Sequence, residues 1–175
     1  MMTWGDEEDF KHFLPRIFEI LTTADFPSTC IEVVYRHLAL ANLDTWAARE
    51  QAAVMDYLHA KWHVTIGEFP SLHTPEAVLC AIAPAVADLR PFLEQWRLAE
   101  GDAPVRQLAE FLWNGGVLTD AFWSSDQRAQ QQQIHAWLAS DAVHDWLEAA
   151  FFAATSSEAE TKLSYAVTVL ESLRT

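Results

Sequence analysis

His59 and His63, four residues apart, are the first pair in this 175-residue sequence whose spacing could do chemistry. Residues at i and i+4 of a helix project from one face, a spacing that metal sites use. A structural zinc takes four ligands, so the pair needs help, and Asp56 and His73 are the acid and histidine nearest to hand. The run reads His59-Ala60-Lys61-Trp62-His63, without the glutamate of a zinc-protease signature and with a lysine between the histidines. A small metal-dependent hydrolase is the reading this pair carries; otherwise they are two surface or boundary histidines. Asp141, His144 and Asp145 form a second cluster. It lacks a nucleophile, because no Gly-x-Ser-x-Gly elbow exists, and its two aspartates equally suit the first turn of a helix. Gly115-Gly116 is followed by neither Lys-Ser nor a Gly-x-x-Gly pattern, which argues against a phosphate-binding loop. No catalytic residue, metal or cofactor is assigned.

Charge says more. Eleven Lys and Arg stand against 25 Asp and Glu, a formal net charge of −14. That field repels a phosphate backbone and an anionic membrane surface, so neither nucleic acid nor membrane is expected as a partner. It suits a basic protein, whose encounter it would accelerate, although solubility alone also explains it. The exposed candidates for contact are the N-terminal acids Asp6, Glu7, Glu8 and Asp9 and the loop acids Glu100 and Asp102. Cys30 and Cys80 lie among apolar neighbours and read as small core residues in a reducing compartment. The N-terminal residues do not read as a secretory signal, and no apolar run reaches the eighteen or so residues of a membrane span. A cytoplasmic location is expected.

The elements that must position these residues are helical throughout. Phe10, Phe13, Leu14, Ile17, Phe18 and Leu21 fall at spacings of three and four, and Pro15 predicts a break or kink among them. Pro27-Ser28 opens a second helix, with Ile31, Val34, Tyr35 and Leu38 on one side. Thr45 caps a third, running to about Val64, with Trp46, Ala53, Tyr57 and Ala60 inward. Thr74-Pro75-Glu76 restarts a helix after a loop at 67–73, and Pro84, Pro91 and Gly101-Asp102-Ala103-Pro104 divide the middle of the chain into short pieces. Asn114-Gly115-Gly116 ends another. Ser125-Asp126 and Ser140-Asp141 cap two more, and Ser157-Glu158-Ala159-Glu160 reads as a capping box before the last. The run Gln127-Arg128-Ala129-Gln130-Gln131-Gln132-Gln133 reads as the solvated face of its helix. Strand alternation is nearly absent. The expected fold is all-α, one domain over residues 1–175: an irregular bundle of eight to ten mostly short helices, with a short α-solenoid as alternative. Eight tryptophans and ten phenylalanines then serve either a well-filled core or an aromatic binding surface.

Thr3-Trp4-Gly5 followed by Asp9-Phe10-Lys11-His12-Phe13-Leu14-Pro15-Arg16 is similar to the opening of a widespread set of uncharacterised bacterial proteins. The tryptophans at Trp46, Trp62 and Trp96 and the segment Glu148-Ala149-Ala150-Phe151-Phe152-Ala153-Ala154 resemble their later portions. The resemblance implies a bacterial origin and brings no activity; a cysteine-bearing extension of its longer members has no counterpart here. A small acidic domain without a catalytic motif is then expected to be a protein-binding inhibitor. Concretely, it would be an immunity protein that occludes the basic cleft of a cognate toxin. The metal-dependent hydrolase above and a helical adaptor that grips a peptide between its helices are the alternatives.

Overall fold

The computed structural model describes residues 7–22, 31–118 and 128–174. Among them are nine α-helices and no strand: α1 (Glu7–Thr22), α2 (Ile31–Leu40), α3 (Ala48–Gly67), α4 (Pro75–Ile82), α5 (Arg90–Leu98), α6 (Ala103–Trp113), α7 (Arg128–Leu138), α8 (Asp141–Ala153) and α9 (Ser157–Leu173). A 3-10 turn, Leu43–Thr45, precedes α3. The all-α bundle expected from the sequence is what forms. Helix α6 is its hub, packing against α3, α4, α5, α8 and α9, an arrangement of one central helix rather than of stacked pairs. Accordingly Val105, Gln107, Leu108, Ala109, Phe111 and Leu112 of α6 are all buried.

Several helix ends follow from their sequence. The Thr74 side chain accepts a hydrogen bond from the Ala77 N–H, and Pro75 occupies the first turn of α4, where its missing N–H costs nothing. Ser140 caps α8 in the same way, accepting from the Val143 N–H. At the end of α6, the Gly116 N–H donates to Phe111 O and the Gly115 N–H to Leu112 O, each at 3.0 Å. Their φ values of +65° and +105° are ones that side chains disfavour, which is why two glycines stand there.

Other expectations shift. Pro15 does not break α1, which runs through it as one helix. Pro15 lies on the exposed side, so the carbonyl its ring leaves without an N–H partner can reach water. Thr45 belongs to the 3-10 turn, and α3 starts after Ala47, whose N–H donates to the Glu50 carboxylate at 3.1 Å. The inward face of α3 is Val54, Leu58, Trp62 and Ile66, while Ala53 and Ala60 are exposed. The larger apolar residues, repeated every four positions, outweigh the alanine stripe because they bury more area. Helix α9 is capped by Ser156 rather than Ser157, one residue early, so Glu160 does not complete a capping box. The Ser125-Asp126 and Pro27-Ser28 helix starts, Cys30 and Asp6 lie outside the described residues; Cys80 is buried.

The glutamine run is corrected most. Gln130 Nε2 donates to Val86 O at 3.2 Å, and Gln133 Nε2 donates to Ala87 O at 3.1 Å. The Leu89 N–H donates to Gln133 Oε1 at 2.7 Å. These amides stitch α7 to the irregular connector between α4 and α5, whose backbone groups would otherwise lack partners. The tryptophans divide too. Trp62 and Trp96 are wholly buried, their indole N–H groups donating to Phe92 O and Pro104 O, whereas Trp113 is 46% exposed.

Candidate functional site

A groove of about 520 Å³ opens between the first turns of α6, the second half of α8 and the start of α9. Its position depends on Gln107, a buried residue of α6. Gln107 Nε2 lies 3.2 Å from Thr65 O, 2.5 Å from Glu68 O and 2.9 Å from Ser71 Oγ, fastening the loop after α3. That loop contributes Phe69 to the groove, and the Arg106 guanidinium lies over the Phe69 ring at 4.3 Å. The floor is made of small residues, among them Ala109, Ala149, Ala150 and Ala153, with Trp146 as a second aromatic wall.

Two cations border this groove in a chain that has few. Arg106 has Asp102 at 3.6 Å, beyond hydrogen-bonding range, and Asp102 is 82% exposed. Lys162 is held more firmly, 2.6 Å from Glu110, and Glu110 raises its pKa above the usual lysine value. The Glu110–Lys162 and Trp113–Tyr165 contacts pair residues with the same offset, so α6 and α9 run parallel along their seam.

The residues singled out by sequence are brought together only in part. His59 and His63 share α3, but His63 is exposed and His59 is engaged elsewhere. Its Nδ1 lies 2.8 Å from Gln95 Oε1 and its ring stacks on Phe92 at 4.0 Å. His73 approaches Lys61 instead, Nδ1 to Nζ at 3.3 Å, and burial pushes the Lys61 ammonium pKa down. Among the described residues no third donor joins His59 and His63, which gives the hydrolase alternative no support. Of the second cluster, His144 and Asp145 do converge, together with Glu148, with ligand atoms within 4.8 Å of one another. Asp141 turns away to Arg174. Both acids of the converging set are exposed, as on any solvated helix face.

The acidic candidates separate into two sets at opposite ends of α3. Lys11 Nζ bonds Glu50 in the first turn of α3 at 2.8 Å, and Phe18 stacks on Tyr57 at 3.7 Å, so α1 runs parallel to α3. Glu7, Glu8 and Asp9 therefore extend past its beginning. Glu100 and Asp102 belong beside the groove, near Phe69 and past the other end. Eighteen residues of helix separate Glu50 from Glu68, about 27 Å. The five described acids do not form one patch.

Sequence reasoning missed the groove. Four of its alanines stand in the segment 148–154, which drew attention only as a resemblance, and nothing local links Phe69 to Arg106. Comparison with family models, curated proteins and solved structures finds no match to this chain. No helix among the described residues is long and apolar enough to cross a membrane.

Proposed function

We propose that this chain is a protein-binding inhibitor of the immunity-protein kind, docking the outer face of α1 against the basic cleft of a partner toxin. The observation that carries this reading is Phe13. It is 57% exposed on α1, with exposed Asp9 one turn before it, the His12 ring against it and the Arg16–Glu19 pair beyond it, while Lys11 is turned inward to Glu50. An aromatic anchor inside a charged rim is the composition of an interface hot spot, and the acids select a basic partner. Glu7 belongs to the same end of the helix, whereas Glu100 and Asp102 lie too far along α3 to share one small contact. Asp6 falls outside the described residues.

The test is co-purification with tagged chain from its native cells, washed at low and then high salt. One basic protein retained in equal amount is expected, lost when Glu8→Lys and Asp9→Lys are combined or when Phe13 becomes Ala. A retained partner indifferent to those changes but lost with Glu100→Lys and Asp102→Lys would move the interface to the other end of α3. Retention through all of them would remove the reading. The groove favours a second reading, recognition of a ligand between helices. The two separate in experiment because they use opposite ends of α3.

A further inference from the structure

We infer that the groove between α6, α8 and α9 binds a small amphipathic carboxylate, its apolar part on the alanine floor and its anionic head on Arg106. The inference rests on the second reading above, that the groove holds a ligand, and is independent of docking on α1. The cavity, about 520 Å³, falls within the range of small-molecule sites, about 300–1,000 Å³. Its lining has the composition of such sites, mainly apolar with a few polar groups, among them Asp102, Arg106, Ser156 and Lys162. Phe69 and Trp146 supply flat apolar surface, and Ala149, Ala150 and Ala153 leave room that larger side chains would fill.

The sign of the head group follows from which charges face inward. The groove's two acids, Asp102 and Glu158, have side chains 82% and 85% exposed, so their charge acts through water. The two cations have less exposed side chains, Lys162 at 30% and Arg106 at 49%, and Lys162 is paired with Glu110 at 2.6 Å, which leaves Arg106 as the freer charge of the two. At 4 Å a pair interacts by about 1 kcal/mol in water and about 4 kcal/mol at the lower effective dielectric near a protein surface. Arg106, whose Asp102 partner stands 3.6 Å away and 82% exposed, is therefore the charge that a ligand lying in the groove meets.

Arg106 also has donors to spare. Among the described residues it makes no side-chain hydrogen bond; its contacts are the Phe69 ring at 4.3 Å and Asp102 at 3.6 Å. A guanidinium oriented by an aromatic ring, with its fork of N–H groups unspent, suits a carboxylate that accepts two of them. Lys162 is committed to Glu110, which cancels most of its field, so the head group falls to Arg106.

Decanoate is a suitable probe, titrated below its aggregation threshold and followed by calorimetry and by fluorescence compared with a Trp146→Phe variant. Saturable one-to-one binding is expected, weakened about tenfold or more by Arg106→Gln, which removes about 1.4 kcal/mol. Ala153→Leu should weaken it as well, by filling the floor, while unfolding midpoints of both variants stay near the parent's. Decanol should bind more weakly than decanoate, and decyltrimethylammonium should not bind. Equal affinity for decanol and decanoate, still sensitive to Ala153→Leu, would keep a ligand groove but overturn the carboxylate. No saturable binding of any of the three, or binding unaffected by both substitutions, would overturn the inference and the second reading together.

Discussion

Gln95, Gln107, Gln130 and Gln133 each carry hydrogen bonds that join separate stretches of backbone in this chain. Gln95 Nε2 donates to the His59 carbonyl while its oxygen meets the His59 ring, tying α5 to α3. Gln107 Nε2 reaches Thr65 O near the end of α3, and Glu68 O and Ser71 Oγ in the loop that presents Phe69, from a position only 4% exposed. Removing a buried partner leaves its acceptors unsatisfied, a loss of about 1–3 kcal/mol. Gln107→Ala is therefore expected to lower stability by that amount in denaturant unfolding, whereas Gln132→Ala, on an exposed position, should change it by less than about 0.5 kcal/mol. Equal effects would mean that the loop is held by packing alone. A local reading of the glutamine run sees only polar residues on a helix. It cannot see that Gln133 faces a connector forty-four positions away, because the need for its amide is created by the proline-broken backbone there.

Helices were legible where their punctuation is local. Thr74-Pro75 and Ser140 cap with hydrogen bonds to residues three further on, and Asn114-Gly115-Gly116 closes α6 with its own carbonyls. Legibility failed where tertiary contacts decide. In α3 the buried face follows from what Trp62 and Leu58 meet on neighbouring helices, and in α1 the fate of Pro15 depends on which side faces water. Helix α1 joins the bundle through links that include the stack of Phe18 on Tyr57, ring contacts of Phe10 with His37 and Phe18 with Tyr35, burial of Leu14 and Leu21, and Lys11, which bridges to Glu50 and lies over Trp46. Lys11 holds the Glu50 carboxyl below its ordinary pKa, with the Ala47 N–H adding to the effect. A carboxyl lowered in the folded state contributes stability that is complete above its unfolded value, about 4.3, and is lost as pH falls through the folded one. Amide exchange in α1 should accordingly quicken relative to α6 as pH falls below about 4.3, after correction for intrinsic rates. In Glu50→Gln that selective change should vanish. Persistence of the full acid effect in the variant would show that other carboxylates hold α1.

At the scale of the molecule, the sequence discloses the charge but not its arrangement. Twenty-five acids against eleven cations is evident from composition, while the separation of Glu7, Glu8 and Asp9 from Glu100 and Asp102 along α3 needs the fold. The ion pairs of this structure are short-range and mostly exposed, such as Arg16–Glu19 at 2.7 Å with side chains 72% and 66% exposed, and each contributes about 0–1 kcal/mol. The remaining acids repel one another over longer distances. Raising sodium chloride from about 0.01 M to about 0.15 M shortens the screening length from about 30 Å to about 8 Å. Attraction between groups under 4 Å apart survives much of that change, whereas repulsion across the molecule does not. Repulsion is thus the larger quantity removed, and the melting temperature should rise over this range. Asp56→Lys combined with Glu100→Lys, both at exposed positions, changes the formal charge from −14 to −10, since each reversal adds two. The double variant should melt higher than the parent at low salt and gain less on adding chloride. A parent that loses stability as salt rises would instead mean that its ion pairs outweigh its net charge, and would require the acidic surface to be better neutralised than its composition implies.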